Sequence, residues 1–494
     1  MSVAGDRAAA TRRSPWLITL LCIVQFILVV DTTIVVVSLP SIAHDLHFDQ
    51  ENLQWIITVY ALTFGGFLMV GGRAADLFGR RELLIAGLVV FVGSSMVCAL
   101  AQNEAMLLIA RAVQGLGGAM ASPAALSLLT ATFHEGIARN RALGMWSAVG
   151  QGGSIAGNIL GGVLTSTAGW RWIFLVNVPI CTAAVIGTIL LIEKSPRGKR
   201  QALDLPGALT VTTGVGLLIF AFSEVETKGF GNPETIAAIC GSAAFLAAFI
   251  AIEKRVSNPL VPLAIFRGRL AIGNLLVILG GPTIMGAYIF MSLYLQGVAG
   301  YSAIHTGFGF APWAAAVGLS SIVVSRKIAR YGVRLVTPIG YLLTIGGLLL
   351  MMRIGPTGNY LGVLLPAFIV MGIGGGITGV SNSIVAMSGV ARNVQGVAAG
   401  IMNSSQRVGS AIGLALLITV ATARTTSLER LHVSSPLALI SGYRVGMIVS
   451  LCFAALTFVV ALRLLPRQHK RGIASSTTDG EVPTAVPSEL VVEL

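Results

Sequence analysis

Two ionisable residues stand inside apolar runs, where charge is expensive. Asp31 is the only charge in Trp16–Leu39, WLITLLCIVQFILVVDTTIVVVSL, and Arg111 lies near the start of a second run at about 105–130. About 20 apolar residues at 1.5 Å rise span a bilayer's hydrocarbon core as a helix. A carboxylate kept there costs a few kcal/mol when ionised, so it marks an ion or proton pathway, or else a packing contact hydrogen-bonded to a neighbouring helix. The chemistry expected of Asp31 is reversible protonation. Arg111 lies about six residues from the end of its run and Asp31 about seven from the end of its own, which puts both roughly 10 Å deep. An arginine favours the ionised form of a nearby carboxyl and burial favours the neutral form, so such a pair can poise proton uptake. Arg111 could instead serve backbone carbonyls. Gln114, one turn from Arg111, can share the polar site or line a substrate cavity. Arg407, beside Gln406 in a run near 396–423, is a further candidate for that cavity or for packing.

Other reactive residues form no constellation. There is no phosphate-binding glycine loop and no paired in-span carboxylate, so an enzyme is not expected. His44 and His47 have no third ligand nearby, and no metal or cofactor is expected. Cys22, Cys98, Cys181, Cys240 and Cys452 all fall in apolar runs and read as small core residues.

The elements that must position Asp31 and Arg111 follow from composition. Of 494 residues 55% are hydrophobic and only 11% charged, with mean hydropathy +0.84. Soluble chains carry about 25% charged residues, so this is an all-α integral membrane protein. Helical-length apolar runs fall at about 16–39, 54–72, 82–101, 105–130, 142–166, 172–192 and 205–223. Seven more fall at about 235–252, 271–296, 304–325, 335–352, 360–388, 396–423 and 443–465, making fourteen. The first is too long, and lacks the small-residue cleavage pattern, for a removable signal peptide. With the N-terminus inside, about 25 of the 33 basic residues fall in alternate, cytoplasmic segments and about 6 outside. That bias places both termini in the cytoplasm. Basic residues spread over many short loops form no single face, so the formal charge of +13 does not indicate nucleic acid.

An internal repeat recurs at an offset of about 255 residues. Gly72–Arg81 (GRAADLFGRR) aligns with Ser325–Arg334, Arg111–Ala119 with Phe368–Gly376, and the Ala142…Gly157 segment with Ala398…Gly413. The chain therefore divides into a cytoplasmic start at 1–15, six-helix halves at 16–193 and 271–465, a linker with two extra helices at 194–270, and a disordered cytoplasmic tail at 466–494. Parallel-repeat halves hold substrate between them near the midplane. Asp76 becomes Ala329 in the second half and Arg111 becomes Phe368, so ionisable function concentrates in the first. Glycine clusters at Gly150…Gly162 and Gly372…Gly379 suit sliding interfaces and tight packing equally.

The loop Gly72–Arg81 resembles the signature loop of the major facilitator superfamily. With fourteen spans, VVDTTIVVVSLPSI (29–42), RAVQGLGGA (111–119) and GWRWIFLVNVP (169–179), the chain resembles the fourteen-span drug/proton antiporters over about residues 15–465. That resemblance implies export of a small lipophilic drug or secondary metabolite against inward protons, by a monomer in a bacterial inner membrane. A proton-coupled importer of the same fold is the alternative. The resemblance also implies gating by Gly72, Asp76, Gly79, Arg80 and Arg81, with Asp76 meeting the start of span thirteen near Gln395 and Gly396. Two positions depart from the pattern. Val36 stands where the family usually has Asn, and Asn158 follows Gly157 where a Gly-Pro pair is usual. Asn158 should leave a straighter helix and line the cavity.

Overall fold

The computed structural model describes residues 2–48, 50–133, 136–194, 204–263, 268–356 and 358–465. The expected tail at 466–494 and the basic stretch 195–203 lie outside the described residues. Fourteen long helices follow one another: α1 (Ser2–Leu46), α2 (Trp55–Phe78), α3 (Arg80–Ala99), α4 (Glu104–Thr132), α5 (Ile137–Thr167), α6 (Asn177–Leu191) and α7 (Leu205–Lys228). They continue as α8 (Pro233–Glu253), α9 (Arg269–Gly297), α10 (Ala311–Tyr331), α11 (Val333–Met351), α12 (Leu365–Met387), α13 (Gln395–Arg430) and α14 (Ser435–Leu464). Short turns lead into several of them: Trp172–Leu175 before α6, Ala303–Gly309 before α10 and a π-helical turn, Tyr360–Leu364, before α12.

Among the described residues, thirteen helical segments are long and apolar enough to cross a membrane. The long helix that falls short is α5, whose middle reads Gly150-Gln-Gly-Gly-Ser-Ile-Ala-Gly-Asn158. Its faces meet other helices at close range. A Cβ on Gly153 would stand 3.3 Å from Val29 of α1, and one on Gly144 would stand 2.5 Å from Ser325 of α10. Small residues suit such contacts better than the bulky apolar ones that face lipid.

The first half packs α1–α6 and the second α9–α14. They meet along two seams, α2 against α13 and α5 against α10, which the repeat interchanges. Gly79 and Gly332, 253 positions apart, break the chain at φ 105° and 80°, a region that favours glycine, and start α3 and α11. The inserted helices α7 and α8 pack on each other, and α7 seats on α2 and α13, with Thr58 of α2 hydrogen-bonded to Ser223 of α7 at 3.3 Å. Asn103, Asp204 and Asn232 cap α4, α7 and α8 by accepting backbone N–H groups.

Two expectations need correction. The first helix does not stop at Leu39 but continues through Pro40 to Leu46. Proline removes only its own N–H from the ladder, and the overshooting turn is anchored where Asp45 accepts hydrogen bonds from Trp170 and Arg171. Asp31 is therefore 15 residues from its helix end while Arg111 is 7 residues into α4, so the equal-depth count fails although the side chains meet. The cysteines also divide. Cys22, Cys98 and Cys181 are buried, but Cys240 and Cys452 are exposed.

Candidate functional site

Asp31 is fully buried, and Arg111 is 1% exposed. Arg111 Nη1 donates to Asp31 Oδ2 at 2.8 Å. The other carboxylate oxygen accepts from Gln114 Nε2 at 3.0 Å and from Asn177 Nδ2 at 2.8 Å. Gln114 Nε2 also lies 2.7 Å from Ser95 Oγ, and its Oε1 accepts from Arg111 Nη1. Arg111 Nε donates to the Ile56 carbonyl at 3.2 Å, and its guanidinium carbon stands 4.2 Å from the centroid of the Tyr60 ring. The cluster draws on α1, α2, α3, α4 and α6. Charge-assisted hydrogen bonds in so dry a place are strong, and each comes from a different residue. A proton on Asp31 would cancel the charge that organises them.

Gln114, expected as cavity lining, instead belongs wholly to this cluster and is fully buried. Ser95, Asn177 and Tyr60 escaped the sequence reading, because uncharged polar residues in a span look like ordinary packing. Asn177 carried a weak signal, being the one amide within GWRWIFLVNVP.

A second polar centre joins the halves at the end of the bundle carrying Gly72–Arg81, which is no loop but the last turns of α2 and the start of α3 around Gly79. Asp76 caps the first turn of α13: Oδ1 accepts from the Gly396 N–H and Oδ2 from the Val397 N–H, each at 3.0 Å. Arg80 donates to Asp76 at 3.1 Å and to Gln395 Oε1 at 3.2 Å. An anion at a helix N-terminus is favoured by the helix dipole and its unpaired N–H groups. Gly72 permits the approach, since a Cβ there would stand 2.2 Å from the Gly396 carbonyl oxygen. Gly79 makes the turn, and Arg81 reaches away to the Ile189 carbonyl of α6 at 3.1 Å. Beside the other seam Arg139 of α5 donates to the Met387 carbonyl of α12 at 2.6 Å, and Ser147 meets Ser383 at 3.1 Å. This end of the molecule is closed.

The remaining candidates lie between the halves. Asn158 stands in an unbroken α5 and donates to the Tyr288 hydroxyl of α9. Arg407 of α13 holds its guanidinium carbon 4.7 Å from the Phe64 ring centroid of α2. Val36 is half exposed. No cluster of three or more metal-ligating side chains occurs among the described residues, and His47 closes α1 in a left-handed turn at φ 55°.

The chain resembles known proteins along most of its length. Residues 21–414 match the sequence profile of the Major Facilitator Superfamily. The chain is 36% identical over 481 residues to the puromycin resistance protein pur8 of Streptomyces alboniger, covering 96% of this chain and 95% of that one. It is 34% identical over 482 residues to the cephamycin export protein CmcT of Amycolatopsis lactamdurans, covering 96% of each. Among solved structures, the human organic anion transporter MFSD10 superposes with a TM-score of 0.63 at 14% identity, over 91% of this chain and 99% of that one. At that identity the likeness is one of fold.

Proposed function

The chain belongs to the Major Facilitator Superfamily, and from that membership we propose that it is a proton-coupled exporter of a small lipophilic antibiotic or metabolite. It would work as a monomer in a bacterial inner membrane. The observation that carries the proton part is the buried Asp31 carboxylate, held by Arg111, Gln114 and Asn177. The direction is supported by resemblance, over nearly the whole chain, to proteins whose names state resistance and export.

The basic-residue bias puts the Gly72–Arg81 segment on the cytoplasmic side. On this reading the closed end is the cytoplasmic one, and the cycle includes an outward-facing stage in which the halves part at the other end. In that stage Asp31 takes a proton from outside, Arg111 loses its anion, and the grip of α4 and α6 on α1 relaxes. Substrate leaves outward. The Asp76 latch on α13 then opens, the halves rock, and the proton departs to the cytoplasm as new substrate enters. No enzyme chemistry or cofactor is involved; the gradient supplies the energy.

Inside-out vesicles made acid inside provide the test. An exporter accumulates a lipophilic probe in the lumen while protons leave, and Asp31→Asn abolishes that accumulation. Proton-driven depletion of the lumen would instead establish the importer, which Asn158 in place of proline keeps in contention.

A further inference from the structure

We propose that Arg407 makes the space between the halves selective for charge. The transported class is then lipophilic molecules bearing one acidic group, a carboxylate or phenolate, and lipophilic cations are excluded. This rests on the exporter reading, because it concerns what that exporter admits.

The two in-span arginines differ in one respect. Arg111 is neutralised by Asp31 at 2.8 Å. For Arg407, among the described residues, no carboxylate, carbonyl or hydroxyl accepts a hydrogen bond, and its recorded partner is the face of Phe64 at 4.7 Å. Residues 271–465 contain a single acid, Glu429, which lies 22 residues further along α13, roughly 33 Å away. The first half offers no compensation either, since its in-span carboxylate is saturated by Arg111, Gln114 and Asn177. An unneutralised arginine at such depth is costly and therefore calls for a partner that arrives.

Among the described residues, buried aromatic rings and no anion stand behind it. Phe64 stacks on Tyr60 with centroids 5.6 Å apart, and Tyr60 in turn lies under Arg111. The Tyr60 hydroxyl is buried and has no hydrogen-bond partner among the described residues. It stands in the field of both guanidinium groups. Asn403, one turn before Arg407, donates to Ser122 of α4 at 3.1 Å, so this stretch of α13 faces the first half. Gln406 is exposed there. Phe64 and Tyr60 are buried behind Arg407, which is itself only half-buried and is the member of this group that the inter-half space can reach. An acidic group would pair with the guanidinium through charge-assisted hydrogen bonds. A lipophilic cation would meet a like charge where little water screens it.

Three probes that share a pyrenylbutyl body and end in a carboxylate, an alcohol or a trimethylammonium separate charge from shape. Binding is measured to the full chain in lipid nanodiscs. The wild type should bind the carboxylate about tenfold or more tighter than the trimethylammonium. Arg407→Gln should remove that preference and leave the alcohol within about twofold, and Arg407→Lys should keep it. In the wild type, the carboxylate probe should protect Arg407 from an arginine-selective dicarbonyl reagent, read by peptide mass, and the trimethylammonium should not. Equal binding of the charged probes, an undiminished preference in Arg407→Gln, or equal protection by both would overturn the proposal. Charge preference in binding without uphill export in energised vesicles would sink the exporter reading and leave this one standing.

Discussion

Asp31 is held from three side: by Arg111 and Gln114 of α4 and by Asn177 of α6. A working proton site must tolerate losing its charge, so the same network that stabilises the carboxylate sets the cost of protonating it. Removing one member of a buried ion pair typically costs about 3–5 kcal/mol, because the other charge is stranded. Asp31→Asn and Arg111→Gln should each lower thermal stability by that order, yet both should fold, since the protonated state of the cycle leaves Arg111 equally alone. The double variant should recover most of the lost stability, because no stranded charge remains. It should not recover proton-driven transport. Recovery of uphill transport along with stability would reduce the pair to a structural contact. A subtler test is Arg111→Lys, which keeps the charge but cannot serve Asp31, Gln114 and the Ile56 carbonyl at once. Its transport rate should fall about tenfold or more while expression stays normal. At this scale the sequence was readable where it departed from its background. One Asp in two dozen apolar residues is conspicuous, as is one Arg in the fourth such run. Ser95 and Asn177 carry no charge, and nothing local separates Ser95 from Ser94, which only back-bonds to its own helix.

The helices meet closely where the sequence put glycine, and the α2–α13 seam shows what that closeness does. Gly72 lies against Gly396, and Gly400 against the backbone of Leu68 and Met69. Backbones at this distance allow Asp76 to reach the first N–H groups of α13, so the latch depends on the seam and not on the turn at Gly79 alone. Gly72→Val should force the helices apart by more than an ångström, because even its Cβ would stand 2.2 Å from the Gly396 oxygen. The expected result is a properly inserted protein that turns over at least tenfold more slowly, with the Gln395 end of α13 newly open to a membrane-impermeant thiol reagent at an introduced cysteine. Unchanged labelling with slow turnover would separate the seam from the gate. Helix existence was legible from apolar runs, but helix ends were not. Pro40 looked like a stop, and Leu39 the last residue of its span, because nothing nearby shows that Asp45 will be tied to Trp170 and Arg171 more than a hundred residues later.

At the scale of the molecule, the repeat at an offset of about 255 residues suggests two related halves, and Gly79 and Gly332 break the chain at corresponding positions of it. Which helices form the seams could not be read from the repeat, because aligned segments report likeness and not contact. The structure pairs α2 with α13 and α5 with α10, and closes one end with Asp76 on the first seam and with Arg139 and Ser147 beside the second. Rocking about the inter-half space requires the second closure to part as surely as the first. Ser147 and Ser383 bring their hydroxyl oxygens to 3.1 Å across α5 and α12, a separation that cysteines could bridge after small rotamer changes. In a background with the five native cysteines replaced, Ser147→Cys with Ser383→Cys should transport normally when reduced. Oxidation should stop transport almost completely, and a reductant should restore it. Probe binding from the opposite face should survive oxidation, because the cross-link ties only this end. Full transport by the oxidised protein would show that this end does not open during the cycle, and the two-seam closure would then be a static clamp with the substrate path elsewhere.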